Sequence, residues 1–309
     1  MSHQDVTHKP GRDALFIVYG LNRPDDIDSV KALLAGAPAT VKSLRGRFPQ
    51  EYVSCVIGFG SDAWDHLFPK RKKPAELKAF AGLKGEKFTA PSTPGDVFLH
   101  IRASRMDLAY EVARAAGDFL GDSVYSLDET HGFRYLDSRA IIGFVDGTEN
   151  PELPEESEAA AVIGDAEPDF AGGSYVFVQK YIHDMKAWNA LPTFEQEKAV
   201  GRRKYDDREL EDGVKPENAH NAVTNIKAED GSEIKIVRAN MPFSNPSRNE
   251  FGTYFIGYAS TFASTLKMLE NMFLGDPPGN TDRLLDFSEA RTGTLFFVPS
   301  AELLEELSE

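Results

Sequence analysis

The order of predicted strands and helices constrains the fold of this chain more than any other feature of the sequence. An apolar run of β-branched and aromatic residues at 14–19 is typical of a buried strand. Apolar residues recur at helical spacing over 25–35, with acidic residues in the first turn, and this pattern predicts a helix. Further strands are predicted at 52–58, 97–101 and 123–127, and a second helix at 106–120. The first half therefore has the order β-α-β-β-α-β.

The second half repeats this order. Residues 174–181 predict a strand, and 185–200 predict a helix that Pro192 interrupts. Strands at 233–238, 253–258 and 294–298, a helix at 262–273 and a terminal helix at 301–307 complete the set. Two β-α-β-β-α-β units describe two ferredoxin-like halves, each an antiparallel sheet with helices. We therefore expect an α+β fold.

The segment between the two halves differs in composition from both. We place an N-terminal domain at 1–142 and a C-terminal domain at 143–309, with residues 143–173 as the connector. From Glu149 onward the connector is acidic and rich in Pro, Ala and Gly. This composition favours a solvated segment rather than a packed one.

Composition and charge exclude several classes of function. The chain carries 34 Lys and Arg residues against 49 Asp and Glu, a formal net charge of −15, which argues against nucleic acid as a partner. No run approaches the roughly 18–20 apolar residues of a membrane span. The single cysteine, Cys55, cannot form an intrachain disulfide or a cysteine-based metal site, and we expect it in the core. The N-terminus has no basic and apolar leader pattern, so we expect a cytoplasmic protein.

The histidines do not have the spacing of a metalloprotease helix, which disfavours a multi-histidine metal centre. His220 is the most informative, because it lies in an unpatterned polar segment at 204–225, and a loop of about 20 residues in a compact domain is usually functional or disordered. His100 falls in a predicted strand, where a core or interface role is expected. The others are expected in a frayed tail (His3, His8) or as surface or capping residues (His66, His131, His183).

Two short motifs carry side chains suited to acid–base chemistry. Asp146 and Gly147 mark a turn within Gly-Phe-Val-Asp-Gly-Thr-Glu-Asn-Pro at 143–151. The local pattern leaves two interpretations open: a plain linker turn, or a carboxylate at the mouth of a pocket that can accept a proton. Arg238 and Asn240 lie two residues apart at the end of a strand, so their side chains share a face. There they form either a surface ion pair or a site that stabilises a developing anion.

These motifs belong to a larger ordered set of segments. The segments are Gly143-Phe-Val-Asp-Gly-Thr-Glu-Asn-Pro151, Ala219-His-Asn221, Arg238-Ala-Asn-Met-Pro-Phe243, Phe251-Gly-Thr-Tyr-Phe-Ile-Gly-Tyr258 and Asp282-Arg-Leu-Leu-Asp-Phe287. The set resembles the motifs of the dye-decolourising haem peroxidases, in particular their B-type subgroup. The resemblance covers nearly the whole chain, including the duplicated ferredoxin-like layout. The ordered Asp, His, Arg and Asn are far more specific than the Asp-Gly pair alone.

The resemblance implies a role for each matching residue. His220 would be the proximal ligand to the iron of one haem b per subunit, held in the C-terminal half. Asp282 would accept a hydrogen bond from the other imidazole nitrogen, with Asp286 as the alternative. On the opposite side of the haem, the catalytic residues would be Asp146 as proton shuttle, Arg238 as anion stabiliser or propionate partner, and Asn240 beside them. The remaining haem-binding residues would be Gly147, Thr148, Glu149 and Phe255.

The implied activity is the oxidation of bulky aromatic or dye-like substrates by hydrogen peroxide, through a ferryl intermediate. The alternatives are a haem- or porphyrin-handling protein, such as a deferrochelatase or porphyrinogen oxidase, and a non-catalytic binding module. Dyes too large for a peroxide pocket would pass electrons through surface aromatics. The candidates are Trp64, Trp188, Tyr125 and Tyr258, although a core position is the default expectation for each. The resemblance also implies a homo-oligomer, and residues 296–309 look like a last strand and helix, so we expect no encapsulin-targeting tail.

Overall fold

A ten-stranded antiparallel sheet is the framework of the computed structural model, which describes residues 2–22 and 26–309. In chain order the strands are β1 (Asp13–Leu21), β2 (Val53–Gly60), β3 (Leu83–Lys84), β4 (Thr89–Ala90), β5 (Val97–Ala103), β6 (Val124–Phe133), β7 (Ser174–His183), β8 (Ile226–Lys227), β9 (Glu233–Ile234), β10 (Val237–Arg238), β11 (Met241–Asn245), β12 (Glu250–Ala259), β13 (Ser288–Ala290) and β14 (Thr294–Val298). The α-helices are α1 (Ile27–Arg47), α2 (Ser61–Leu67), α3 (Met106–Leu120), α4 (Pro154–Ala161), α5 (Met185–Ala190), α6 (Thr193–Val200), α7 (His220–Thr224), α8 (Phe262–Phe273) and α9 (Ala301–Ser308). The α+β class with antiparallel pairing agrees with the sequence prediction.

The strands of the two halves follow the same relative order. Across the large sheet the order is β10-β12-β7-β14-β2-β5-β1-β6, while β11 pairs with β12 and β13 with β7. The halves join where β2 pairs with β14, with Phe59 opposite Phe297. One sheet therefore runs across the predicted domain boundary at residue 142, and that boundary stays a prediction.

Helices pack on one face of the sheet because their apolar residues recur at helical spacing. On α3, Leu108, Val112, Ala116 and Leu120 follow each other every four residues, and none is more than 2% exposed. They join a core formed with α1 and α9 against the strands of the first half. The structure confirms the bounds predicted for this helix.

The opposite face of the sheet encloses a second apolar core, because the sheet curves until β11 lies against β6. The two strands approach closely at Gly132 on β6, where a Cβ atom would lie 2.8 Å from the Cβ of Met241 on β11. Only glycine leaves room for the two strands at this point. Inside, the ring of Phe16 stacks on that of Tyr254 at a centroid distance of 4.1 Å. The two ends of the sheet thus meet, and the architecture approaches a closed barrel.

The connector is more ordered than its composition predicts. Helix α4 lies within it, and Ile163 and Phe170 are buried. Most residues from 152 to 169 are exposed, as expected of a solvated segment. Helix α4 was not predicted, because it buries only Ala161 and its sequence carries no periodic signal.

Two further predicted elements differ from the structure. The helix predicted over 25–35 begins at Ile27 and continues to Arg47, with Pro38 inside it, while Asp25 lies outside the described residues. The strand predicted over 233–238 is divided, since β9 pairs with β8 and β10 pairs with β12. In the part of the chain that the structure describes, no helix is long and apolar enough to cross a membrane.

Candidate active site

One cavity brings together residues that the sequence analysis assigned to a single site. Strands β10 and β12, helices α7 and α8 and the 3-10 turn at Arg283–Asp286 contribute to its wall. Six of the predicted residues line it: Asp146, His220, Arg238, Asn240, Phe255 and Asp282. The fold thus places side chains from distant parts of the sequence around one space.

His220 is held at the start of α7 by a fully buried carboxylate. Its Nδ1 atom lies 2.6 Å from Oδ2 of Asp282, whose side chain has no exposed surface. The other carboxylate oxygen accepts a hydrogen bond from the backbone N–H of Leu284 at 2.8 Å, which fixes its orientation. Because Nδ1 is engaged, Nε2 is the ring nitrogen free to act as a ligand. Asp286, the alternative partner, instead forms an ion pair with Lys87.

Arg238 brings a partly buried guanidinium to the same cavity. Burial lowers the pKa of its guanidinium, and the carboxylates of Asp146 and Glu149 partly oppose this effect. Its Nε atom is buried and has no hydrogen-bond partner among the described residues. Buried N–H groups in folded proteins almost always have a partner, so this one indicates a missing acceptor.

Asp146 is positioned by an amide from the neighbouring strand region. The Nδ2 group of Asn240 donates to Oδ1 of Asp146 at 3.3 Å, and Oδ1 of Asn240 accepts from the backbone N–H of Ile256 at 3.1 Å. Gly147, the next residue in the turn, has a φ of +84°, a conformation that favours glycine. The carboxylate and the guanidinium therefore face one cavity from two separate segments.

Asn150 joins these two segments, and the sequence analysis did not identify it. Its Oδ1 accepts a hydrogen bond from the backbone N–H of Arg238 at 2.9 Å, and its Nδ2 donates to the backbone C=O of Arg238 at 2.7 Å. Asn-Pro in the sequence indicates only a turn. The partner is 88 residues away, so no local pattern points to this role.

The side chains of Thr148 and Glu149 form their hydrogen bonds outside the cavity. Thr148 Oγ1 donates to Oδ2 of Asp207 at 2.6 Å, and Glu149 Oε1 accepts from Arg202 at 2.7 Å. These two side chains and Gly147 are absent from the cavity wall. They anchor the turn that presents Asp146, and their predicted contact with a cofactor stays a prediction.

Two family models match consecutive parts of this sequence. The N-terminal model of Dyp-type peroxidases matches residues 23–134, and the C-terminal model matches residues 137–303. The chain belongs to the Dyp-type peroxidase family. It is therefore an oxidoreductase, as predicted, rather than a non-catalytic binding module.

Solved structures of other Dyp-type peroxidases share the whole fold. A dye-decolorizing peroxidase from Bacteroides thetaiotaomicron is 60% identical, with a TM-score of 0.96 over 100% of this chain and 99% of that one. A variant of DypB from Rhodococcus jostii, solved in complex with haem, is 48% identical, with a TM-score of 0.95 over 99% of each chain. An encapsulated DyP-type peroxidase from Mycobacterium smegmatis is 47% identical, with a TM-score of 0.95 over 99% of this chain and 98% of that one.

A buried histidine lies in the wall of this Dyp-type peroxidase's cavity, where the sequence predicted a surface or capping residue. His183 is 6% exposed; its Nδ1 lies 2.8 Å from Ser288 Oγ and its Nε2 lies 2.9 Å from Thr253 Oγ1. Burial lowers its pKa to about 4, so the ring is neutral near pH 7. The prediction was wrong because His183 ends strand β7, where alternation of side chains directs it inward with Tyr181.

Most of the aromatic residues proposed as surface electron carriers are buried in this peroxidase. Trp64, Trp188 and Tyr258 have no exposed surface, which agrees with the core position expected for them and disfavours a role as surface electron carriers. Tyr125 is half exposed. Trp188 packs edge-on against Phe287 at 5.4 Å and donates from its ring N–H to the C=O of Ile142, as expected of a core residue.

Proposed function

We propose that the cavity around His220 holds one haem b and that its residues carry the dye-decolourising peroxidase activity of this chain. The observation that supports the proposal most directly is the pairing of His220 with Asp282 in the same cavity as Asp146, Arg238 and Asn240. The cavity combines an imidazole nitrogen that can act as a ligand with a carboxylate beside the guanidinium of Arg238.

The residues present fit a haem group. His220 has one free ring nitrogen for iron, as axial imidazole ligation requires. Arg238 has a buried N–H that lacks an acceptor, and a haem carboxylate would supply one. Apolar side chains, among them Phe255, Leu269 and Met272, line the cavity and suit a porphyrin ring. The haem in the related DypB structure supports the same assignment.

When bound, haem supplies an iron centre that takes two oxidising equivalents from hydrogen peroxide and is restored by electrons from a donor. The carboxylate of Asp146 would accept a proton from one peroxide oxygen and deliver it to the other. The guanidinium of Arg238 would stabilise the negative charge that develops on the departing oxygen. Asn240 would hold Oδ1 of Asp146 in place for both transfers.

The buried carboxylate of Asp282 would act through His220 rather than on the substrate. By accepting a hydrogen bond from Nδ1–H it would fix the tautomer of His220 and make Nε2 a stronger ligand. Its second oxygen is already bonded to the backbone of Leu284, so the carboxylate cannot rotate away freely.

We propose that each half is ferredoxin-like, because β6, β1, β5 and β2 occur in the order fourth, first, third, second, and β14, β7, β12 and β10 repeat it. Three further points stay predictions: a homo-oligomer, a cytoplasmic location and the lack of an encapsulin-targeting tail. Since the M. smegmatis relative is encapsulated, co-purification of this chain with a shell protein directly tests the predicted lack of a tail.

Haem loading followed by peroxide tests the proposed site. The purified chain should take up one equivalent of haem with a Soret band, change its spectrum on addition of peroxide and then oxidise an anthraquinone dye. His220→Ala should remove the axial bond and shift the Soret band, whereas His131→Ala, at an exposed histidine, should change neither. An unaltered spectrum in His220→Ala would exclude His220 as the ligand. Release of metal-free protoporphyrin instead of dye oxidation would favour a deferrochelatase.

A further inference from the structure

A second cavity, of about 610 Å³, adjoins the proposed haem cavity. Its volume lies within the range of about 300–1,000 Å³ that is usual for small-molecule sites. It lies between β4 of the first half, the end of α8 and the segment 285–290 of the second half. A position between two halves of a protein is a common place for a ligand site.

The two cavities share part of their wall. His183, Leu285 and Ser288 line both. Leu285 belongs to the 3-10 turn whose first side chain, Asp282, bonds to His220. A molecule in the second cavity would therefore be separated from the proposed haem by a single layer of side chains.

The wall of the second cavity combines aromatic rings with an excess of negative charge. Phe88, Phe273 and Phe287 supply the rings. The charged lining residues are Asp184, Asp286 and Glu289 with Lys87, and Arg291 pairs with Glu289 at 2.8 Å. Three carboxylates against two cations leave one net negative charge. Such a wall favours a flat aromatic molecule that is neutral or cationic, and it disfavours an anion.

We propose that the second cavity binds the reducing substrate, a small neutral or cationic phenol or aromatic amine. The proposal rests on the proposed peroxidase function, because the donor must deliver electrons to the haem. In each cycle two donor molecules lose one electron and one proton each. Hydrogen peroxide gains both electrons and both protons, its O–O bond breaks, and two water molecules form.

Two phenols of matched length provide the probe: tyramine, which carries an ammonium group, and 3-(4-hydroxyphenyl)propionate, which carries a carboxylate. Calorimetry on the haem-loaded enzyme without peroxide measures binding independently of activity. Tyramine should bind at least tenfold more tightly than the propionate. Equal affinity for the two, or no heat of binding for tyramine, would overturn the proposal.

Thr89→Trp tests the location of the site, since Thr89 is exposed on β4 and lines the cavity. The indole should weaken tyramine binding at least tenfold and raise its KM, while the rate of the spectral change with peroxide stays the same. Ser126→Trp, on the exposed part of β6, is the matched control and should leave tyramine binding unchanged. Unweakened binding in Thr89→Trp would exclude this cavity.

Glu289→Lys tests the charge argument and remains informative if Thr89→Trp fails to fold. It should reduce the preference for tyramine over the propionate at least fivefold, whereas Glu305→Lys, on the exposed side of α9, makes the same change in net charge and should not. An unchanged preference in Glu289→Lys would contradict the proposal. If the wild-type enzyme bound tyramine but did not react with peroxide, the proposed function would fail while the second cavity remained a phenol site.

Discussion

The side chain of Asn150 forms two hydrogen bonds with the backbone of Arg238, one to its N–H at 2.9 Å and one from the amide to its C=O at 2.7 Å. This pair connects the turn that carries Asp146 to the strand that carries the guanidinium. The relative position of the carboxylate and the guanidinium, the proposed proton acceptor and anion stabiliser, therefore depends on a third residue that does not line the cavity.

Replacing Asn150 by Ala should separate the two catalytic segments. We expect the reaction with peroxide to slow by about tenfold or more, because displacements of about 1 Å in an active site can cost up to 100-fold. The free energy of unfolding should fall by about 1–3 kcal/mol for the two lost hydrogen bonds. Stopped-flow spectra and urea titrations measure the two effects. Asn189→Ala, at an exposed position on α5, is the control, and an equal loss in both variants would refute the positioning role.

Replacing Asp282 by Asn should weaken haem binding by about 10–100-fold, as is typical when the hydrogen-bond partner of a metal-ligating histidine is lost. Asp286→Asn provides the comparison, since this carboxylate bonds to Lys87 instead of His220. Its haem affinity should remain within twofold of the wild type. Haem transfer to an acceptor protein measures both, and the reverse ranking would make Asp286 the partner.

Arg238→Met should stabilise the fold and slow the reaction with peroxide. Burial disfavours the charged form of Arg238, so an apolar side chain of similar size removes an unfavourable desolvation. We expect the haem-free variant to unfold at a higher urea concentration, while its peroxide reaction in the haem-loaded form slows at least 100-fold. A variant that is both less stable and fully active would contradict the proposed role of the guanidinium.

Acid should destabilise the fold through its buried histidines. Burial lowers the pKa of His183 to about 4, and burial together with Arg102 lowers that of His100 well below its ordinary value. Between about pH 6.5 and 4 the unfolded chain binds protons that the folded rings do not, so the free energy of unfolding decreases as the pH falls. His183→Gln should remove up to about 3 kcal/mol of that decrease. Urea titrations at several pH values measure it, and the same pH dependence in the wild type and in His183→Gln would contradict it.

Gly132→Ala tests how tightly the sheet is closed. The added Cβ would lie 2.8 Å from Met241, so we expect a loss of about 1–3 kcal/mol in the free energy of unfolding. Gly117→Ala, on α3 where nothing lies within 4 Å, should instead stabilise the protein by about 0.5–1 kcal/mol. Equal effects of the two substitutions would show that β6 and β11 can move apart freely.

Elements with a strong periodic pattern were predictable from the sequence, and contacts between distant segments were not. Helix α3 presents its apolar residues every four positions, and its predicted bounds agree with the structure. Helix α4 buries only Ala161 and left no such signal. His220, Asp146 and Arg238 could be named from motifs, because each motif is local. The roles of Asn150 and His183 depend on partners that only the fold brings close to them. No short window of the sequence contains both a residue and its partner.

The curved sheet restricts which parts of this peroxidase can be exchanged with those of a relative. Within the sheet, the first and second halves meet at two seams: backbone pairing between β2 and β14, and side-chain packing between β6 and β11 around Gly132. Hybrid enzymes that join one half of this chain to the other half of a relative would have to match both seams at once. Exchange of single loops around the haem cavity should therefore succeed more often than exchange of whole halves.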